Sequence, residues 1–248
     1  MTLPFISCVM PTTASRAWCS PLAVEAFLAQ TWPADRRELV IAVDRDDDYA
    51  AVLRAVMLDL RSASAQVTVV AVEPGTIGAK YNAAIAAARG PVVALWEDDD
   101  YHAPTRLAHQ LESWERALAA PRSTKLPPLA FTASRRLHYW DLESDDVRTL
   151  DATPGFCHGT FVGMRDAWLE VPYPALDAGN DGVWMLEVAK RYAIHEAPIG
   201  ERYLATRHGQ NTWDARGVSW LRSQLTADAI SPYAARYRAA FDARRAAA

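Results

Sequence analysis

Short apolar runs alternate with helix-length segments through the first 121 residues, and this alternation constrains the fold more than any other feature. Phe5 to Met10 is a short run with β-branched and aromatic members, stopped by Pro11. Ser20-Pro21 reads as an N-cap followed by proline in the first helical turn. Val24, Phe27, Leu28 and Thr31 repeat at helical spacing behind it. Leu39 to Val43 predicts a second strand, Tyr49 to Leu60 a helix, and Val67 to Val72 a third strand stopped by Pro74-Gly75. Gly78 to Ala88 predicts a third helix, ended by Gly90-Pro91. Val92 to Trp96 is a fourth strand, and Pro104 opens a helix reaching about Ala120. Apolar strands of this length between helices predict a parallel sheet covered on both faces. Ligands of such sheets bind at the carboxyl ends of the strands.

Polar residues gather at those ends. The first strand ends in Pro11-Thr12-Thr13, the second in Asp44, the third in the segment from Pro74 to Lys80, and the fourth in Glu97-Asp98-Asp99-Asp100. One such cluster is a solvated loop; four on one edge point to a site. The second half is less regular. Arg122 to Pro128 reads as a linker, Leu129–Thr132 and Leu137–Trp140 as strands able to form a hairpin, and Thr160–Met164 as another strand. Val183 to Tyr192 is a helix by spacing, Tyr203 to Ala205 a strand, and Leu221 to Arg244 terminal helices broken at Ser231-Pro232.

Composition narrows the function. The 26 basic and 30 acidic residues leave a net charge of −4, which argues against holding long nucleic acid by bulk charge. The three cysteines, Cys8, Cys19 and Cys157, form no CxxC pair and no even disulfide set. They read as small buried hydrophobes of a reducing compartment. The start of the chain lacks a basic region before its short apolar run. No run approaches the ~18 apolar residues that span a membrane. A cytoplasmic location without a transmembrane segment is expected.

The acidic run 97–100 carries the strongest chemical signal. Adjacent carboxylates repel unless a cation compensates them. Acids spaced i, i+2 on an extended segment point to one side and can share a hard divalent ion completed by phosphate oxygens. The alternative is a solvated turn ahead of the Pro104 helix. Asp44 leaves its strand where a carboxylate can accept from a base or ribose; the alternative is a loop, the reading given to Asp46, Asp47 and Asp48. Gly78-Ala79-Lys80 opens a helix, where backbone N–H groups and a lysine suit a diphosphate. His208 lies in a polar knot with Arg207, Gly209 and Asn211. His102 has a weak claim through its closeness to the acidic run. His109, His138, His158 and His195 read as structural. Trp184 and Trp213 could stack on a sugar face. Asn180 and Asp181 precede a helix that either could cap.

Together these pieces resemble family-2 glycosyltransferases of the GT-A fold. Residues 6–13 (ISCVMPTT) are similar to the family's first strand and its Pro-Thr turn, and residues 27–33 (FLAQTWP) to the helix end that follows. Residues 38–44 (ELVIAVD) resemble the second strand with its base-binding aspartate. Gly78 to Asn82 resembles the Gly-x-x-x-Asn start of the third helix, and EDDDYHAP (97–104), with Arg106, Leu107 and Gln110, the Asp-x-Asp segment and its helix. Asn180-Asp181 stands where the family carries a Glu-Asp pair holding the catalytic base. Arg207-His208-Gly209 with Asn211-Thr212-Trp213 resembles a C-terminal segment of some members.

The resemblance implies an α/β fold: a Rossmann-like, mostly parallel sheet with helices on both faces, a smaller mixed acceptor-side part and C-terminal helices. It implies one domain over 1–248, divided into a nucleotide-sugar half (about 1–121), an acceptor half (about 128–213) and terminal helices (about 214–248). The implied activity is inverting transfer of a sugar from a UDP, GDP or dTDP donor to an acceptor hydroxyl whose carrier the sequence leaves open. Asp181 would be the base. Glu97, Asp99 and His208 would hold Mn²⁺ or Mg²⁺, with Lys80 helping at the diphosphate. Pro11, Thr12, Thr13, Asp44, Gly78, Lys80, Asn82 and Asp98 would contact the donor. Glu97 takes the first Asp-x-Asp position when Pro104 sets the register; a second register uses Asp98 and Asp100. Asn180 replaces the usual acid before the base. Two rivals stand beside this: a sugar-nucleotide nucleotidyltransferase, whose glycine-rich loop the segment after Pro11 lacks, and a degenerate, non-catalytic sugar-nucleotide binder.

Overall fold

The computed structural model describes residues 3–45, 66–176, 179–209, 211 and 219–247. The helix expected over Tyr49–Leu60, together with Asp46, Asp47, Asp48, Thr212 and Trp213, lies outside them. Seven strands form the larger sheet: β1 (Ile6–Thr12), β2 (Arg37–Asp44), β3 (Gln66–Val72), β4 (Val92–Leu95), β6 (Leu129–Ala133), β9 (Val162–Met164) and β10 (Ala193–Glu196). Their order is β10-β6-β9-β4-β1-β2-β3. The four predicted strands β1–β4 run parallel, and β9 enters antiparallel to β4 and β6. The expected mostly parallel sheet is observed, and strands from both halves of the chain share it.

Alternation along the strands makes two cores. Cys8, Met10, Ile41 and Trp96 pack under Val24 and Phe27 of α1 (Ser20–Leu28) and Leu107, Leu111 and Trp114 of α3 (Arg106–Ala119). Val9, Val40, Val93 and Leu95 pack under Tyr81, Ala84 and Ile85 of α2 (Ile77–Ala87), Trp168 of α4 (Arg165–Glu170) and Trp184 of α5 (Asn180–Arg191). Trp184 stacks on Trp168 with centroids 4.4 Å apart, so it is core rather than a sugar platform. The cap of α1 also differs from expectation. Cys19 takes the N-cap position and Ser20 is already helical.

A second sheet was less legible. It runs β12-β8-β7-β11-β5, built from β5 (Tyr101–His102), β7 (Arg136–Asp141), β8 (Asp146–Asp151), β11 (Tyr203–Arg207) and β12 (Ser219–Arg222). The 129–132 and 137–140 runs do not make a hairpin: β6 joins the large sheet, while β7 pairs antiparallel with β8. One face of this sheet, with Trp140, Val147 and Leu204, is covered by Ile230 of α6 (Ala227–Ile230) and by Tyr237 and Phe241 of α7 (Ala234–Ala247). The predicted terminal helices are there, although Leu221 belongs to β12. Among the described residues no helix is long and apolar enough to cross a membrane.

Candidate active site

The carboxyl ends of β1 and β4, the start of α5 and the open face of the second sheet enclose a cavity of about 640 Å³. Its lining includes Pro11, Glu97, Asp98, Asp99, Asp100, Asn180 and Asp181. Thus the two acidic signals of the sequence, more than eighty residues apart, share one space.

Residues 98–100 bend instead of continuing the strand, so the i, i+2 rule fails and each acid meets a different environment. The Tyr81 hydroxyl donates to both Glu97 oxygens at 2.7 Å, and His158 Nδ1 lies 3.5 Å from the same carboxylate. Asp98 accepts from Thr12 Oγ1 at 2.6 Å and lies 3.4 Å from Arg16. Asp99 Oδ2 accepts from Arg16, from Asn211 Nδ2 at 3.2 Å, and faces His208 Nε2 at 3.0 Å. Asp100 turns inward and accepts from the Tyr203 hydroxyl and from the Thr206 N–H.

These surroundings separate the acids electrostatically. Burial pushes Asp98 up to about 7, against the pull of Arg16. For Asp99, burial is outweighed by the Arg16 and His208 contacts, which hold it down to about 2. Asp100 is raised well above the carboxylate range by burial and by the Asp99 and Glu97 charges. Among Asp98, Asp99 and Asp100, Asp99 is therefore the one held most firmly ionised.

Of the predicted metal ligands, Asp99 and His208 are brought together. Asp99 Oδ2 and His208 Nε2 are 3.0 Å apart, at hydrogen-bond distance. Among the described residues no group of three or more histidines, cysteines or acids could hold a metal. Glu97, bound to Tyr81, is not gathered with Asp99 and His208 as the Asp-x-Asp register predicted. A two-ligand ion with phosphate and water in its other positions is the usual arrangement for hard cations on nucleotides.

Other predicted donor contacts serve the scaffold. Lys80 Nζ is buried and donates to Asp44 Oδ2 at 2.6 Å and to the Thr12 carbonyl at 3.2 Å, so it ties β2 to β1 rather than facing the cavity. Asp44 Oδ1 keeps no partner among the described residues. Asn82 bonds both backbone groups of Tyr173, at 3.0 and 2.9 Å. A Cβ on Gly78 would stand 2.6 Å from the Pro174 carbonyl. The Gly-x-x-x-Asn positions therefore lock α2 onto the 173–174 segment. Thr13 bonds Ser15 at the surface. His102 is fully buried between Arg106 and the Glu97 carbonyl, and burial lowers its pKa.

At α5 the capping alternative holds for Asn180, whose Oδ1 accepts the Asp181 N–H at 2.9 Å. The N-cap itself is Gly179, at φ 72°, where a side chain is disfavoured. Asp181 lines the cavity instead. Among the cavity residues missed from sequence are Arg16 and His158. Arg16 sits in the turn after β1, and a base four residues past a strand end, beside a run of acids, was its signal. His158 was assigned to structure, yet its Nδ1 faces Glu97 and its Nε2 lies 2.7 Å from the Tyr173 hydroxyl.

Similarity to known proteins agrees with this geometry. The profile of glycosyl transferase family 2 matches residues 7–171, about two thirds of the chain. The protein belongs to that family, and its fold is the GT-A glycosyltransferase fold. Among solved structures, S. aureus TarS 1-349 in complex with UDP superposes with TM-score 0.58 and 15% identity, covering 82% of this chain and 60% of TarS 1-349. The mannosyltransferase PcManGT from Pyrobaculum calidifontis, in complex with GDP-Man and Mn²⁺, gives 0.59 and 17%, covering 88% and 59%. Glucosyl-3-phosphoglycerate synthase from Mycobacterium tuberculosis, with Mn²⁺, UDP and phosphoglyceric acid, gives 0.51 and 15%, covering 79% and 69%. The chain thus spans about 60% of the first two. No curated protein sequence matches.

Proposed function

We propose that the chain is an inverting glycosyltransferase that moves a sugar from a nucleoside-diphosphate donor to an acceptor hydroxyl. The observation that carries this is one cavity shared by Asp99, held ionised by Arg16 and His208, and Asp181 at the entrance of α5. The UDP and GDP-Man bound by the neighbours, and their Mn²⁺, support a UDP- or GDP-sugar and a divalent cation here too.

In this reading Asp44 and the Pro11–Thr13 turn receive the base and ribose, with Lys80 fixing Asp44. Asp99 and His208 are the protein ligands of Mn²⁺ or Mg²⁺. A cation there would offset charge growing on the departing diphosphate. Arg16 adds a fixed positive charge beside it. Asp181 accepts the acceptor's hydroxyl proton while the oxygen bonds the anomeric carbon. The bond from that carbon to the diphosphate breaks on the opposite face, so the configuration inverts.

Asp181→Asn tests the assignment. Asparagine keeps shape and removes the basic oxygen, so nucleotide binding should persist while transfer falls roughly 10²–10⁴-fold. Transfer at the parent rate would remove Asp181 from the mechanism. Absence of any transfer or donor hydrolysis in the parent, across UDP-, GDP- and dTDP-sugars with Mn²⁺, would favour a non-catalytic binder.

A further inference from the structure

The acidic turn lies between two strands and belongs to neither. β4 ends at Leu95 and β5 begins at Tyr101, so no sheet ladder serves the carbonyls between them. Side chains from other elements bond them instead. His102 donates to the Glu97 carbonyl at 3.2 Å, Thr206 to that of Asp99, and Tyr237 to that of Asp100 at 3.1 Å. None of the three donors is more than 1% exposed. The peptide planes that follow Glu97, Asp99 and Asp100 are thereby fixed. With them is fixed the direction in which the Asp99 side chain leaves the backbone.

Two of these bonds have a set direction. A carbonyl only accepts, so the Tyr237 hydroxyl gives its proton to the Asp100 oxygen. Arg106 Nη1, which only donates, stands 2.6 Å from His102 Nδ1. Nδ1 therefore carries the lone pair, and Nε2 carries the proton that the Glu97 carbonyl accepts. Both neighbours require the same neutral tautomer.

Tyr237 comes from α7, 137 residues after Asp100. The Asp100 side chain is already held by Tyr203 and the Thr206 N–H of β11. With its carbonyl held by α7 as well, Asp100 is an anchor, and its neighbour Asp99 is left facing His208 Nε2 at 3.0 Å.

We propose that Tyr237 is a positioning residue for Asp99, with His102 holding the other end of the turn. The terminal helix α7 is then a working part of the nucleotide site as well as a cover for the second sheet. This rests on the reading above, in which Asp99 serves the nucleotide.

Histidine NMR tests it on the full chain, ¹⁵N-labelled at its six histidines and free of metal and nucleotide. In the parent, the His102 ring should be protonated at Nε2 and unprotonated at Nδ1. Tyr237→Phe keeps the ring, which packs edge-on to Trp140, and removes the hydroxyl. It should shift the His208 ring signals, while His109 and His195, bonded to Pro198 and Ser113, stay in place. Tyr233→Phe, one helical turn earlier, is the control and should shift none of them. Calorimetry adds a functional measure: the gain in UDP affinity from Mn²⁺ should fall about tenfold in Tyr237→Phe. UDP affinity in EDTA should stay within about twofold of the parent. His208 signals unchanged in Tyr237→Phe, an equal shift in Tyr233→Phe, or a His102 ring protonated at Nδ1 overturns the proposal. So does a melting temperature that falls while the parent's Mn²⁺ gain survives, since that is a packing role alone. A parent with no Mn²⁺ gain speaks against the glycosyltransferase reading, and the His208 signals then decide the positioning by themselves.

Discussion

Replacing Arg16 by glutamine removes the one guanidinium among the described residues that pairs with Asp98 and Asp99. The pair is well enclosed: the Arg16 side chain is 12% exposed, that of Asp98 7% and that of Asp99 11%. Breaking a buried ion pair by deleting one partner costs about 3–5 kcal/mol, because the other charge stays buried. Asp98 relieves part of this by protonation, since burial already holds it up to about 7. The lower end, about 3 kcal/mol, is therefore expected. At ~2–4 °C per kcal/mol for a chain of this size, the melting temperature should fall by about 6–12 °C. Mn²⁺ should then do what Arg16 did. At a hundred times its Kd a bound cation contributes about 2.7 kcal/mol, close to the whole loss. The assay is a pair of thermal melts with and without MnCl₂, for the parent and Arg16→Gln. The cation should rescue the variant by several degrees more than it stabilises the parent, where Arg16 competes for Asp99. A variant that melts within about 2 °C of the parent, or equal Mn²⁺ shifts in both proteins, would refute the idea of a built-in counter-cation.

Asp98 gives a pH dependence of definite sign. Its folded pKa of about 7 lies above the usual 3.8, so between about pH 4 and 7 the folded chain binds more protons than the unfolded one. This group's contribution to the stability of the metal-free protein is complete below about pH 4 and is lost as pH rises through 7. Cation binding should strengthen over the same rise, and calorimetry with Mn²⁺ at pH 6 and 8 measures it; stronger binding at pH 6 would contradict the assignment. Asn82→Ala should cost about 1–3 kcal/mol by stranding the Tyr173 backbone groups, while leaving nucleotide affinity unchanged. Unchanged stability with lost nucleotide binding would return Asn82 to the donor site.

Much of the fold could be read from the chain because β1, β2 and β4 are buried on both faces and spell nearly continuous apolar runs. Val92–Leu95 is hydrophobic throughout, so its assignment needed no knowledge of partners. The second sheet is different. Arg148 and Asp146 alternate with Val147 in β8, and a half-exposed strand of charged residues looks like loop until its neighbours are known. Its partner β12 lies about seventy residues later, a pairing that no local pattern specifies. At the site, the position of the acids was legible and their roles were not. The bend at 98–100 sends Glu97, Asp99 and Asp100 to three different partners, which spacing cannot foresee. Likewise Lys80 and Asn82 carry side chains suited to a phosphate, but tertiary contacts with Asp44 and Tyr173 claim them. Asp181 was separable from a helix cap only once Gly179 was seen to take the cap position.

The central claim is that Asp99 couples a divalent cation to the nucleotide in this cavity. Calorimetric titration of UDP and GDP, with and without Mn²⁺, into the parent and Asp99→Asn tests it most directly. The account predicts that Mn²⁺ tightens nucleotide binding at least tenfold in the parent and that Asp99→Asn, which keeps the hydrogen-bonding shape but loses the charge, abolishes the gain. Equal nucleotide affinity with and without Mn²⁺ in the parent, or a full Mn²⁺ effect retained in Asp99→Asn, would contradict it.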